Sequence, residues 1–405
     1  MELKPGYKQT EVGMIPEDWD VKCLREISPS QSVGLVINPS SYFETNGEVP
    51  MLVGSCISEN KINAEKASQI SRKNSERLSA CRLKTGDLVT VRVGFPGTTA
   101  VVPTELDGCN CASMMIIRGH KSFDSYWLAQ LLNSPIGRGQ IENVEYGTAQ
   151  KKFNISDAIN FSFPVPPAAE QIKIAEAAKN FDQYIESLEQ KIDKKCQVKQ
   201  AAMQELLTGK RRLPGFSGEW EEVQLGDIAA IRNTKAVASS MPAQTECVEL
   251  ECIEQGTGRL LMSNHASGES TKYSFRTGDV LFGRLRAYLR KFWLASFDGI
   301  CSTEIWPLIA RDDRLSADFL HLLVQTSEFI DAACVSYGTH MPRSDWAVLK
   351  KFQLRLPLIP EQKAIATVLA DIDAELSDLV QRSQKAAFLK QGMMQQLLTG
   401  KIRLT

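Results

Sequence analysis

A chain that contains itself twice must fold as two related modules, and the repeat fixes much of what this sequence can become. Residues 203–213 (MQELLTGKRRL) recur as residues 394–404 (MQQLLTGKIRL), identical at nine of eleven positions and displaced by 191. The same displacement relates Glu170-Gln171 to Glu361-Gln362 and Tyr146-Gly147-Thr148 to Tyr337-Gly338-Thr339. Earlier in each copy the register drifts: Thr85-Gly86-Asp87 answers Thr277-Gly278-Asp279, and Trp19, Leu24 and Ile27 answer Trp220, Leu225 and Ile228. Small loop insertions produce such drift. Two long copies, unlike the three or more short ones of a solenoid, indicate tandem duplication of a whole module, which suits a two-part target.

Each copy divides into a globular part and a helix. Proline marks the helix starts, at Pro164, Pro166 and Pro167 and at Pro357 and Pro360, so Glu170 and Glu361 should occupy the first turn, where the helix dipole favours a carboxylate. From Glu170 no Pro or Gly intervenes before Gly209, and from Glu361 only Gly392 precedes Gly400. Ile174, Ala178, Phe181, Ile185, Leu188, Ile192, Ala202 and Leu206 form one apolar seam of coiled-coil type. Ile365, Leu369, Ile372, Leu376, Leu379, Ala386, Met393 and Leu397 form the other. Lys195, Lys199, Ser383 and Lys390 interrupt the seams, which predicts imperfect pairing. Each helix could instead pack on its own globular part, but two such helices at equivalent positions favour mutual pairing. The first helix leads to the second globular part through Leu213-Pro214-Gly215-Phe216-Ser217-Gly218. The second can meet it only by running back, so the pair should be antiparallel, a rod of ~60 Å for about 40 residues. Gly209 and Gly400 are natural left-handed caps.

The globular parts alternate short apolar runs, such as residues 89–94 (VTVRVG) and 114–117 (MMII), with helical segments such as residues 126–132 (YWLAQLL) and their counterpart 319–324 (FLHLLV). The expected class is α+β: two tandem-duplicated domains separated by two long antiparallel coiled-coil helices, with pseudo-two-fold character. The boundaries read as 1–165, 166–212, 213–356 and 357–405. An apolar content of 43% with 23% charge is ordinary for a globular protein, and no apolar run reaches the roughly 18 residues of a membrane span. Residues 1–20 lack the blocks of a signal peptide, so the cytoplasm is the expected compartment and the ten cysteines should be reduced thiols in packed positions. Beyond Cys109 with Cys111 and Cys247 with Cys252, no Cys or His pair has zinc-ligand spacing.

No catalytic constellation is present. Thr208-Gly209-Lys210-Arg211 lacks the earlier glycine and the hydroxyl of a phosphate loop, and it closes a helix where such a loop opens one. Nucleophile-elbow, zinc-protease and dinucleotide fingerprints are missing. The nearest match to the Asn-Pro-Pro-Tyr run of an amino-methyltransferase, Asn38-Pro39-Ser40-Ser41, lacks the aromatic that would stack on a base. The functional signal is basic instead. Net charge is −1, yet Arg276, Arg284, Arg286, Arg290 and Lys291 crowd into sixteen residues with Tyr288 interleaved and only Asp279 opposing. Arginine reads guanine bidentately and grips phosphate; a solvated strand face would carry the same alternation. A second cluster follows each Tyr-Gly-Thr: Ala149-Gln150-Lys151-Lys152-Phe153-Asn154 and His340-Met341-Pro342-Arg343-Ser344-Asp345. The candidate DNA-binding residues are therefore Arg92, Tyr146, Thr148, Gln150, Lys151, Lys152, Arg284, Arg286, Tyr288, Arg290, Lys291, Tyr337, Thr339, His340 and Arg343, with no catalytic or metal-binding residue.

Residues 7–19 (YKQTEVGMIPEDW), the junction 206–220 (LLTGKRRLPGFSGEW), the proline-led Glu-Gln helix starts and the terminal LLTGKIRL together resemble the specificity subunits of type I restriction-modification systems, over nearly the whole chain. The resemblance implies two target-recognition domains that each bind half of a split double-stranded DNA sequence, with the two helices as spacer. It also implies two modification (methyltransferase) subunits that hold S-adenosylmethionine and methylate adenine, and restriction subunits that use ATP and Mg; this chain would bind no cofactor itself. Other classes remain: a scaffold whose coiled coil joins proteins, or a self-contained methyltransferase or nuclease, against which the missing motifs argue.

Overall fold

A computed structural model describes residues 5–148, 151–335 and 342–404. The chain divides into two compact units, Met1–Glu189 with Gln381–Thr405, and Gln190–Val380.

In the first unit, β1 (Leu88–Val91) lies between β2 (Thr99–Val101) and the strand Met114–Ile117, whose far side pairs with Gln31–Val33, all antiparallel. Successive residues of a strand point to opposite faces, and both faces here are covered. Leu88, Met115 and Ile117 join Trp127, Leu128 and Leu131 of the helix Ser125–Asn133 in one core. Val89, Val91, Met114 and Ile116 join Leu52, Leu83 and Cys111 in another. A strand with no solvent face reads as a continuous apolar run, which explains MMII. Under the second face a smaller sheet pairs Asn110–Cys111 parallel with Val49–Leu52 and the latter antiparallel with Ser68–Ile70.

The second unit repeats the plan. Here β3 (Val280–Gly283) lies between β4 (Phe292–Leu294) and Ile305–Ala310, which pairs with Ala229–Ile231. Val280, Phe282 and Leu308 face Phe319, Leu320 and Phe329, while Leu281 and Ile305 face Val248 and Cys301. The small sheet again has a parallel pair, Glu246–Val248 with Gly299–Cys301, but grows to five strands through Asn264–His265, Thr271–Phe275 and Lys235–Val237. The fold is α+β, built twice.

The long helices are α1 (Ala168–Leu206) and α2 (Ile359–Leu398), of 39 and 40 residues. Within the first unit Asp182 of α1 meets Lys390 of α2 at 2.7 Å. Within the second, Lys195 pairs with Glu375, and Lys199 with Asp373 at 2.6 Å. Partner numbers fall along α2 as they rise along α1, so the pairing is antiparallel. Every seam residue is buried or half-buried. The lysines expected to spoil the seam do not spoil it. Lys199 and Lys390 keep only 18% and 15% of their side chains exposed, and each finds a carboxylate on the other helix; a lysine can lie along such a seam by its methylene stem.

Each helix start is stitched twice. Gln171 accepts from the Asp124 N–H and donates to the Pro166 carbonyl; Gln362 accepts from the Ser316 N–H and donates to the Pro357 carbonyl. Glu170 and Glu361, only 4% and 2% exposed, do more than answer the dipole. Trp19 and Trp220 donate to them from Nε1 at 3.0 and 3.1 Å. The arginine beyond the end of the other helix closes on each: Arg403 on Glu170, Arg212 on Glu361. Gly209 and Gly400 do adopt the left-handed conformation, at φ 71° and 68°. Seven cysteines are buried free thiols, whereas Cys23 is half-buried and Cys196 and Cys334 are exposed, so packing does not hold for all ten. No helix among the described residues is long and apolar enough to cross a membrane.

Candidate nucleic-acid interface

The candidate residues gather where β1 and β3 end. Arg92 follows β1 directly, and the chain returns beside it: the Phe153 N–H donates to the Arg92 carbonyl, the Gly94 N–H to the Lys151 carbonyl, and Arg92 Nε to the Phe153 carbonyl at 3.3 Å. Tyr146 and Lys152 exchange backbone hydrogen bonds of 2.9 and 3.0 Å, and the Lys152 ammonium sits 5.0 Å from the Tyr146 ring. The Tyr146 hydroxyl donates to Asn154 at 2.8 Å. Lys151 pairs with Glu145, whose hydrogen bond raises the lysine pKa and fixes its charge. Thr148 is exposed alongside. The structure thus brings Arg92, Tyr146, Thr148, Lys151 and Lys152 together; Gln150 lies outside the described residues.

The second unit builds the same corner from different side chains. Arg284 follows β3, its carbonyl accepts from the Ser344 N–H, and the Arg286 N–H donates to the Pro342 carbonyl at 2.9 Å. The Arg284 guanidinium stacks 5.1 Å from the Trp306 ring, with Nε buried and without a hydrogen-bond partner among the described residues. A buried donor of this kind is rare in a finished fold. Arg343 donates to both carboxylate oxygens of Glu304 at 3.0 Å, a bond that raises its pKa. Arg286 is exposed in the left-handed region at φ 52°, where a residue other than Gly, Asn or Asp is uncommon and strained. Tyr337, Thr339 and His340 lie outside the described residues.

The linear basic cluster is not one patch. Arg276 precedes β3 and Arg284 follows it, so the strand carries them to opposite ends. Arg290 turns inward, donating to the Gln325 carbonyl at 3.0 Å and to Ser327 Oγ at 3.2 Å, and Lys291 donates to the Leu250 carbonyl at 2.7 Å. These two serve the mounting of the hairpin. Glu304 was not read from the sequence, because the pairing spans residues far apart in the chain. Phe95, in the turn Gly94-Phe95-Pro96-Gly97 beyond Arg92, is exposed beside this corner, and the sequence signals only the turn.

This corner offers fixed guanidinium and ammonium groups beside exposed rings, and among the described residues no group of His, Cys, Asp and Glu could hold a metal ion. Positive charge and planar donors suit phosphate and base edges. The sequence matches the type I restriction modification DNA specificity domain over residues 16–195 and again over 217–387. The putative type I restriction enzyme MjaX specificity subunit of Methanocaldococcus jannaschii is 23% identical, with 98% of this chain and 97% of that one covered. The EcoDI specificity subunit of Escherichia coli is 24% identical over 47% of this chain and 43% of its own. Among solved structures, the type I restriction-modification S subunit of M. genitalium superposes with TM-score 0.60 at 12% identity, covering 98% of each chain. A chain from a structure concerned with assembly and conformational transition of a type I system gives TM-score 0.57 at 17% identity, covering 96% of this chain and 99% of that one. With two matched domains accounting for most of its length, this chain belongs to the type I restriction-modification DNA specificity family.

Proposed function

We propose that this chain is the DNA-reading subunit of a type I restriction-modification complex, each unit binding one half of a bipartite duplex target. The observation that carries the reading is the repeated corner after β1 and β3: one backbone scaffold, held by the same return segment, presents Arg92, Lys151 and Lys152 in one unit and Arg284, Arg286 and Arg343 in the other. A conserved mount with different tips is what two sequence preferences require. Lysines act as point charges toward phosphate, whereas a guanidinium held by a carboxylate, as Arg343 is by Glu304, arrives oriented for a base edge. By their place in the repeated sequence alone, Tyr337, Thr339, His340 and Gln150 are proposed DNA contacts as well.

The chain itself performs no chemistry on this reading. Two modification subunits would dock on the paired helices, bring S-adenosylmethionine and methylate adenine. Restriction subunits would bring ATP and Mg, and the complex would act in the cytoplasm. Mapping methylated adenines in cells that carry the complete complex should reveal one bipartite motif. In the reconstituted complex, Arg343→Ala should cost roughly 1–3 kcal/mol and relax one position of one half-site, while Lys152→Ala should weaken all sequences alike and lower the salt slope by about one. Binding that ignores both sequence and salt would overturn the proposal.

A further inference from the structure

We infer that Phe95 and Tyr288, the rings at the tips of the β1–β2 and β3–β4 hairpins, are inserted against the base stack of the bound duplex, one in each half-site. This deepens the DNA-recognition reading above and rests on it. Phe95 is 83% exposed and Tyr288 is 53% exposed. A lone exposed ring on a protein surface is ordinary; these two sit within one residue of each other in the repeat, Phe95 directly after Gly94 and Tyr288 second after Arg286, on hairpins with the same mount. Each follows its arginine, Arg92 or Arg284, after a residue with positive φ: Gly94 at 95° and Arg286 at 52°. Each hairpin is tied to the return segment at that residue, through the Gly94 N–H to Lys151 and the Arg286 N–H to Pro342.

Each hairpin is also braced to the equivalent helix by an arginine, although the brace comes from opposite partners. In the first unit Arg138, on the helix Pro135–Glu142, donates to the Pro96 carbonyl at 3.0 Å and to Thr98 Oγ1 at 3.3 Å. In the second, Arg290 reaches from the hairpin to Ser327, at the start of the helix Ser327–Cys334. The loop sequences GFPG and RAYLR have nothing else in common. Each unit thus carries a braced hairpin whose turn exposes an aromatic ring, with Arg92 at the base of one hairpin and Arg284 and Arg286 at the base of the other. Apolar surface held in solvent gains nothing for the fold. Beside a duplex, a ring of this kind can wedge a base step or stack on a base face, while neighbouring cations hold the phosphates that such a distortion displaces.

The test uses the full chain reconstituted with its methyltransferase subunits, on duplexes that carry the motif found by methylation mapping, with 2-aminopurine scanned through each half-site away from the methylated adenine. With the unaltered chain, emission should change at one step in each half-site. Phe95→Ala should abolish that change in one half-site only, and Tyr288→Ala in the other, each weakening binding about tenfold; Phe95→Trp should restore it. If both alanine variants match the unaltered chain in affinity and emission while the motif is still preferred over a scrambled duplex, the rings lie off the DNA and the inference fails. If Phe95→Ala instead impairs assembly with the methyltransferase subunits at unchanged emission, the ring contacts protein, which also overturns it. An unaltered chain that does not prefer the motif would overturn the DNA-recognition reading itself.

Discussion

Arg403 donates from Nε and Nη2 to the two carboxylate oxygens of Glu170, both at 2.8 Å, across 233 residues of sequence. The tail beyond α2 thereby locks the start of α1, as Arg212 beyond α1 locks Glu361 at the start of α2. Each guanidinium also lies over the tryptophan that donates to the same carboxylate, at 5.6 Å for Trp19 and 5.5 Å for Trp220. Removing the arginine leaves a nearly buried carboxylate without its counter-charge, although the tryptophan still donates to it. We expect Arg403→Ala to destabilise the first unit by roughly 2–4 kcal/mol, below the upper range because the guanidinium is partly hydrated. Hydrogen exchange should report the loss in the first unit and leave the second unchanged, since the second has its own clamp.

The clamp predicts acid sensitivity. Burial alone would raise the Glu170 pKa, but hydrogen bonds from Arg403, Trp19 and the Leu404 N–H outweigh it and hold the carboxyl below its ordinary value of 4.5. A depressed folded-state pKa contributes stability that is fully present above the unfolded value and is lost as pH falls through the folded one. Asp18, which Arg403 also binds, is depressed in the same way, by its hydrogen bond from Arg403 first of all. The difference in urea midpoint between the unaltered chain and Glu170→Gln should therefore be constant above about pH 5 and shrink progressively below 4.5. A difference that grows on acidification would contradict this assignment.

Lys390 and Asp182 offer a separable test of helix pairing. Lys390→Glu would set two carboxylates together in a partly buried seam, at a cost of roughly 1–2 kcal/mol. Adding Asp182→Lys should recover most of that loss, because the exchanged pair spans the same 2.7 Å contact. A double variant no more stable than Lys390→Glu alone would show that the two charges are not coupled at this position.

The sequence revealed the parts of the fold that depend on near neighbours or on the repeat. The proline-led starts at Glu170 and Glu361, the seams from Ile174 to Leu206 and from Ile365 to Leu397, and the left-handed Gly209 and Gly400 all follow from local pattern. What pairs with what did not follow. Lys199 and Lys390 break an apolar period when each helix is read alone and complete it once the other helix supplies Asp373 and Asp182. Arg212 and Arg403 carry no local signal, since their partners lie across the fold. At the candidate interface, proximity in sequence misled: a strand separates Arg276 from Arg284, and Arg290 and Lys291 spend their hydrogen bonds on the protein's own backbone and Ser327. A single exposed ring such as Phe95 forms no period and leaves no trace in the pattern.

Helix length gives the last test. Inserting one matched heptad into both helices, after Leu188 and after Leu379, keeps the seam in phase and adds roughly 10 Å at about 1.5 Å per residue. If helix length sets the spacing of the half-sites, that increment corresponds to about three base pairs at roughly 3.4 Å each. Three base pairs also rotate one half-site by about a third of a turn. Affinity should accordingly fall, while the half-site sequences, which the corners after β1 and β3 would read, stay the same. Methylation mapping of an active insertion variant should return the original half-sites with a longer gap. An unchanged gap would mean that the helices do not measure the target, and that the spacing is fixed within the globular parts.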